Sequence, residues 1–404
     1  MTSVRENRTC LACAVDLPAP FLSLGDQVPA NAFALTPDAV EEKFPLAVTL
    51  CPKCKLCQLT HIVDRAALFT DYAYFSSTSP QLLGHFRGYA DEILKRFSPK
   101  LVVEIASNDG ILLKPLKAGG VQVLGIDPAK NIALEANLAG IETIPSFFDA
   151  DLAKRVVVDH GYADVVVANN VLAHTDDLNA FVRAAKSMLA PWGVLIVEVG
   201  YLGDLLDNGD FTNIYHEHVA YFSLESLCAL FDRTDLLIFD VERVPTQGGS
   251  LRVYASHSEN TAAAGRVSTF IAYERERGLG RSELYTKFAA DVPRTRLAIL
   301  ELLASVSRVA AYGASAKGSV LLQYCGLTAA DISYVTDEAP SKQGRHMPGS
   351  GGIPIVPTST FRKKPPTVAL VTAWNYADNI IAKERWFTEA GGKFVVPLPK
   401  LRVI

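Results

Sequence analysis

No stretch of this sequence reaches the roughly 18 consecutive apolar residues that a membrane span requires, and no membrane association is expected. A basic excess is missing as well: 39 Lys and Arg stand against 43 Asp and Glu, a net charge of −4. Without a positive footprint for a phosphate backbone, nucleic-acid binding is not expected. The first residues, MTSVRENRT, lack an apolar signal core, which points to a cytoplasmic protein. There is no short-period repeat and no low-complexity tract. An even cysteine framework is absent too. The 7 cysteines are odd in number and five precede residue 58, which suits metal binding in a reducing compartment better than disulfides. What is present is core material: 404 residues, 49% hydrophobic and 20% charged, enough for two or three domains.

Two C-x-x-C knuckles, Cys10-Leu-Ala-Cys13 and Cys51-Pro-Lys-Cys54, open the chain. Together they offer four thiolates to one tetrahedral Zn2+, a closed set with no position left for chemistry. The 37 residues between them contain Pro18, Pro20, Gly25 and Pro29 and build little core alone, so a structural metal is physically useful there. Cys57 leaves a Cys54-x-x-Cys57 knuckle open as an alternative. The expected zinc-binding module covers residues 1–66.

From 67 to 259, strand and helix patterns alternate. Apolar runs at 101–105, 121–126, 164–168 and 194–199 read as buried strands. The alternation predicts a doubly wound parallel sheet, with ligands at the carboxyl ends of its strands. A third segment, 260–404, opens with two helical stretches, 262–277 and 281–304. Strand-like runs follow in "RVAAYGASAKG" and "ISYVTDEAP", and at 367–372 and 393–396, giving a second, smaller α/β unit.

In "VVEIASNDGILL" Glu104 ends a strand, and the small residues from Ala106 through Asn108 to Gly110 form a turn open to close backbone approach. Asp127 ends the next strand 23 residues after Glu104, where a carboxylate accepts both hydroxyls of a ribose. Asn169, Asn170 and His174 sit at the end of a third strand on the same rim. No G-x-G-x-x-G is present. This arrangement resembles class I S-adenosylmethionine (SAM) methyltransferases, in which the first turn faces the methionine part and the second acid holds ribose. An NAD-type domain is the other reading of the same elements.

Taken together, "YAYFSSTS" (72–79), "EIASNDG" (104–110), "NNVLAH" (169–174), "YHEHVAYFS" (215–223), "GGSLRVY" (248–254), "YGASAKG" (312–318) and "YVTDEAPSKQGRHMPGS" (334–350), behind the cysteine knuckles, resemble the sugar-nucleotide 3-C-methyltransferases. These enzymes build branched deoxysugars for antibiotics and surface polysaccharides. The resemblance covers nearly the whole chain and implies an α/β protein: a zinc-binding module, a central class I SAM methyltransferase (Rossmann-like) domain and a smaller C-terminal Rossmann-like domain for the sugar nucleotide. It departs from the family at Cys57, where an apolar residue is usual, and at Gln247, where a histidine is frequent.

The family's reaction implies a 4-keto-6-deoxy sugar nucleotide, dTDP-linked by habit with GDP as the alternative, whose C3 proton is acidified by the C4 carbonyl. A base removes that proton and the enolate takes the methyl group. By resemblance His218 is the base and Glu217 its neighbour. Tyr215, His174 and Tyr72 are candidates for the carbonyl or the sugar hydroxyls. Glu104, Ala106, Asn108, Gly110, Asp127, Asn169 and Asn170 form the expected cofactor site. Tyr74, Gly249, Ser250, Arg252, Lys317, Lys342 and Arg345 form the expected substrate site, the last three toward a diphosphate. Zinc is assigned to Cys10, Cys13, Cys51 and Cys54. A catalytic metal on His216-Glu-His218 is the weaker reading, because the stretch lacks the second histidine of H-E-x-x-H and the chemistry needs no metal nucleophile. His216 and His85 receive no role. The rivals are an O- or N-methyltransferase acting on another small molecule, a zinc-ribbon RNA methyltransferase and a dinucleotide oxidoreductase. A monomer or weak oligomer is expected.

Overall fold

The computed structural model describes residues 4–69, 77, 80–260 and 263–404. The N-terminal module holds strands β1 (Val4–Glu6), β2 (Leu22–Gln27), β3 (Phe44–Leu50), β4 (Cys57–Leu59) and β5 (His61–Val63). β1 pairs with β5, and β2, β3 and β4 form an antiparallel sheet. The apolar FPLAVTL of β3 is almost wholly buried and ends at the second cysteine knuckle.

Seven strands build the central sheet: β6 (Leu101–Ile105), β7 (Gln122–Ile126), β8 (Thr143–Ile144), β9 (Ala163–Asn169), β10 (Leu189–Gly200), β12 (Leu236–Val244) and β13 (Ser250–His257). Their order is β12-β13-β10-β9-β6-β7-β8. The five strands β6 to β10 are parallel, and β12 and β13 close the far edge antiparallel. The apolar runs of β6 and β9 are buried along nearly their full length, as strands covered by helices on both faces must be. The sheet grows in opposite directions from β6 and β9. The crevice past their carboxyl ends is therefore the switch point where such sheets bind ligands.

β11 (Ala220–Tyr221), from the stretch "HEHVAYF", does not belong to this sheet. It pairs with β4, extending the zinc module's sheet to β11-β4-β3-β2. The first unit is thus discontinuous in sequence and reaches past the expected limit at residue 66. Immediately after β11 a capping box starts the helix Leu224–Asp232. Ser223 Oγ accepts the Ser226 N–H at 3.1 Å, and Ser226 Oγ accepts the Ser223 N–H at 3.0 Å. The buried Glu274 carboxylate accepts the next two N–H groups, of Leu224 and Glu225. The chain's exit from "YHEHVAYF" is fixed by these bonds.

After the helices Gly265–Glu276 and Ser282–Ala304 comes the C-terminal sheet: β14 (Val309–Tyr312), β15 (Ile332–Thr336), β16 (Ile355–Val356), β17 (Val368–Val371), β18 (Lys393–Val396) and β19 (Arg402–Val403). Its order is β16-β15-β14-β17-β18-β19, parallel except for β19, with its own switch point between β14 and β17. At the second strand end of this unit stands Asp337. Its Oδ2 accepts the Ala314 N–H at 2.7 Å and its Oδ1 the Ala339 N–H at 2.8 Å. Asp127 does the same in the central sheet, accepting the N–H groups of Asn108 and Ala129 at 2.9 Å each. The two units share this device, although β14 carries no counterpart of Glu104. Among the described residues no helix is long and apolar enough to cross a membrane.

Candidate active site

The Sγ atoms of Cys10, Cys13, Cys51 and Cys54 lie within 4.8 Å of one another, with Cys10–Cys54 at 3.4 Å and Cys13–Cys51 at 3.5 Å. Four ligands about 2.3 Å from a tetrahedral Zn2+ lie roughly 3.8 Å apart, so the set fits zinc and closes its coordination. Cys57 is outside the cluster: it sits on β4, and burial pushes its thiol far up. The open choice of knuckle is settled by that position.

Both switch points face one cleft of about 480 Å3. From the central sheet it is lined by Glu104, Ala106, Asn108, Asp127, Asn169 and Asn170. Ala106, Asn108 and Asn170 hold left-handed φ values of 57°, 50° and 52°. Non-glycine residues pay about 1 kcal/mol each for this, a strain typical of ligand-binding turns. Glu104 Oε1 accepts the Asn169 amide at 3.1 Å. Glu104 Oε2, Asn169 Oδ1 and Ser107 Oγ are buried with no partner among the described residues. Burial pushes the carboxyls of Glu104 and Asp127 up. A concave, acceptor-rich wall of this kind fits a ligand bringing its own N–H and O–H donors, as the amino acid and ribose parts of SAM do. Gly110 is not part of the lining. Its φ of 76° makes the turn, and a Cβ there would press on Ile141 at 3.2 Å. The sequence reading missed Phe147 and Phe148, an aromatic wall just past β8, whose signal was the pair "FF" beyond a short strand.

His218, Tyr215 and His174 line the same cleft. His218 Nδ1 lies 3.1 Å from the Asn213 carbonyl oxygen, which can only accept, so Nδ1 carries the proton. The lone pair is then on Nε2, where the Tyr215 hydroxyl donates to it at 2.8 Å. Burial first, then the neighbouring His174, whose ring lies tilted at 54° with its centroid 4.9 Å away, holds the His218 imidazole well below its usual value and therefore neutral. His174 Nδ1–H donates to the Glu217 carbonyl at 2.6 Å. Val219 N–H, in turn, donates to the Ala173 carbonyl, tying the two histidine segments together.

The Glu217 side chain points elsewhere. It lines a second cavity of about 310 Å3 with His216, Arg5 and Asp176, which shares Arg65, Leu68 and His174 with the main cleft, and the amide of Asn31, a residue of the cleft, donates to Glu217 Oε1 at 3.2 Å. Its neighbour His216 is a structural histidine, donating Nε2–H to the Phe44 carbonyl of β3 at 3.2 Å. Burial raises the Glu217 carboxyl to about 7. A raised carboxyl contributes stability that is complete below the ordinary glutamate range and is lost as pH climbs through the folded value. Replacing Glu217 by Gln removes that loss. The stability gain of Glu217→Gln is therefore expected to be about 2 kcal/mol larger at pH 8 than at pH 5, read from paired denaturation curves. A pH-independent difference contradicts the assignment.

On the third wall Lys317, Lys342 and Arg345 line the cleft with Ser315, Asn375 and Tyr376. Three other expected substrate contacts do not line it. Arg252 is buried on β13, donating to Glu198 Oε2 at 2.9 and 3.1 Å and to Glu92 at 3.1 Å, with its guanidinium over the Tyr89 ring. Its position opposite Glu198 in the β10–β13 ladder makes it an internal counter-ion. Gly249 and Ser250 stand behind the cleft at the start of β13, where any Cβ on Gly249 would collide with Asp204. Glu198 reaches the cleft, and its Oε1 accepts the Thr246 hydroxyl at 2.7 Å. His85, given no role from sequence, lines the cleft 3.6 Å from Glu198 Oε2. Asn31 and Phe33 arrive from the zinc module. Tyr72 and Tyr74 lie outside the described residues.

Comparison with known proteins gives three domain matches: a zinc-binding domain over residues 10–69, a methyltransferase domain over 83–240 and a C-methyltransferase C-terminal domain over 245–399. The C-methyltransferase NovU of Streptomyces niveus is 38% identical over 411 aligned residues, covering 99% of this chain and 98% of NovU. A ubiquinone biosynthesis O-methyltransferase of Azorhizobium caulinodans is 29% identical over 117 residues, 29% of this chain and 46% of that protein. Among solved structures, the magnesium protoporphyrin IX methyltransferase of Synechocystis with bound SAM aligns with a TM-score of 0.34 and 16% identity, over 44% of this chain and 82% of that one.

Proposed function

The chain belongs to the family of SAM-dependent C-methyltransferases that includes NovU, matching it over its full length, and from that premise we propose that it methylates C3 of a 4-keto-6-deoxy sugar nucleotide, with dTDP as the favoured nucleotide. The observation that carries this reading is the neutral His218 in the cleft lining, its Nε2 lone pair held by the Tyr215 hydroxyl of the same lining. A carbon acid beside a ketone needs a base of this kind and a donor for the oxygen that becomes negative.

S-adenosylmethionine, when bound, supplies an electrophilic sulfonium methyl. Asp127 would hold its ribose hydroxyls, with Glu104 and Asn169 beside the methionine part. His218 Nε2 takes the C3 proton, and the C–H electron pair passes into the ring carbon and O4 as an enolate. To free that lone pair, the Tyr215 O–H bond needs only to rotate from Nε2 toward O4, where it meets the developing charge. The Asn213 carbonyl then faces an imidazolium Nδ1–H and steadies it. His174, held by the Glu217 carbonyl, packs at a tilt beside the His218 ring. Bound SAM would supply the methyl group that the enolate carbon takes up, its C–S electron pair leaving with sulfur.

Incubation with SAM and a panel of dTDP- and GDP-linked 4-keto-6-deoxyhexoses is expected to give a product heavier by one methylene, labelled at C3 by NMR. Methylation on oxygen, or of a sugar lacking the ketone, contradicts the proposal. For the cofactor side, Asp127→Ala is expected to weaken SAM binding by about 10- to 100-fold in calorimetry, the effect of losing a buried charged acceptor. An affinity within twofold of wild type removes Asp127 from the site.

A further inference from the structure

Lys317, read from sequence as a diphosphate contact, is already engaged. Its Nζ lies 2.8 Å from Asp210 Oδ2, in an ion pair whose side chains are only 12% and 4% exposed. It also sits over the Trp374 ring at 4.7 Å. Asp210 opens the short turn Phe211–Asn213, and its carbonyl accepts the Asn213 N–H at 3.2 Å. Its other carboxylate oxygen accepts the Thr212 hydroxyl at 2.5 Å, and Thr212 Oγ1 accepts the Trp374 indole N–H at 3.3 Å. Two residues of the C-terminal unit, Lys317 and Trp374, thereby clamp the turn whose last carbonyl, that of Asn213, receives His218 Nδ1–H.

We propose that Lys317 is a positioning residue for the base: through Asp210 it holds the 210–213 turn, and so the tautomer and orientation of His218. This rests on the reading of His218 as the proton acceptor. A buried ion pair is sensitive to loss of one partner, because the other is left uncompensated.

The charged and titratable groups facing His218 are His174, Tyr215, Tyr221, Glu217 beside it in the chain, and the Lys317–Asp210 pair. Lys317 lowers the His218 value as a nearby cation. Removing it raises that value, so activity fails at a higher pH on the acid side. Removing the Asp210 charge has the opposite sign.

The test measures kcat, KM and kcat/KM against pH for Lys317→Met, Lys317→Arg and Asp210→Asn, with melting curves for each. Expected for Lys317→Met is an acid limb moved up by about 0.5 pH unit or more, a plateau lowered at least about tenfold and a sugar-nucleotide KM within about threefold. The limb is expected to return in Lys317→Arg and to move down in Asp210→Asn. A limb that stays put while the Lys317→Met KM rises tenfold or more overturns the proposal and returns Lys317 to the diphosphate. His218→Asn is assayed alongside for solvent deuterium exchange at C3. Retained exchange there overturns the base itself and the proposal with it. Lost exchange there with an unmoved Lys317→Met limb overturns only the positioning role. If Lys317→Met melts early, the Lys317→Arg and Asp210→Asn limbs decide.

Discussion

His218→Asn protein is expected to bind SAM normally, yet to lose both C3 exchange and methyl transfer by about 100- to 10,000-fold, the contribution of a positioned general base. Asparagine suits the test because its amide N–H can replace His218 Nδ1–H toward the Asn213 carbonyl. What it lacks is a basic lone pair facing Tyr215. The turn and β11 should therefore survive, and the missing activity reports the base alone. Exchange separates two explanations that turnover confuses. Lost exchange means the C3 proton is not removed, whereas retained exchange without methylation means the enolate forms and the methyl group is misplaced. The second result would pass the base role to Tyr215 or His174. The pH profile supplies a further check. With the imidazole held well below its usual value by burial and by His174, wild-type activity should persist on the acid side of pH 6.5.

Local pattern carries over to the structure where local forces decide. The run at 393–396 is strand β18 residue for residue, and the helix expected at 281–304 spans Ser282–Ala304. Apolar runs of four or five residues bury the same way wherever they lie in a parallel sheet, so their positions could be read in advance. The zinc ligands were legible for a similar reason, because C-x-x-C spacing constrains geometry within one turn. Contacts set by pairing between distant strands were not. That Arg252 serves Glu198 follows from the β10–β13 register, which nothing in "GGSLRVY" announces. Asn31 reaches the cleft because its module is sewn to residues 220–221, some 190 positions later in the chain. Glu217 lines a second cavity from a turn just ahead of β11, a placement that "YHEHVAYF" alone does not announce. Asp337 was overlooked because its role lies in two accepted N–H bonds, not in a motif.

Zinc removal is the second large effect, and its physical route explains why a closed metal site matters to chemistry it never touches. The second knuckle lies between β3 and β4, and Gln58 in β4 binds the first knuckle from both sides of its amide. It accepts the Leu11 N–H at 2.9 Å and donates to the Thr9 carbonyl at 3.4 Å. β4 then pairs residue for residue with β11, Cys57 opposite Tyr221 and Gln58 opposite Ala220, and the Leu59 N–H donates to the Val219 carbonyl. His218 is the next residue. Stripping the metal removes a binding free energy of order 10 kcal/mol from the module, whose β4 is the pairing partner of the strand adjoining the proposed base. Cys10→Ser protein, or wild type after strong chelation, is expected to melt at least about 10 °C lower in its first transition. Methyl transfer should fall to background, while SAM binding, proposed to involve Asp127 in the central sheet, should weaken far less. Hydrogen exchange should rise at 57–59 and at 219–221 together. Zinc-free protein that keeps wild-type turnover, or exchange confined to the knuckles, would break the proposed link from metal to base and leave the module a separate appendage.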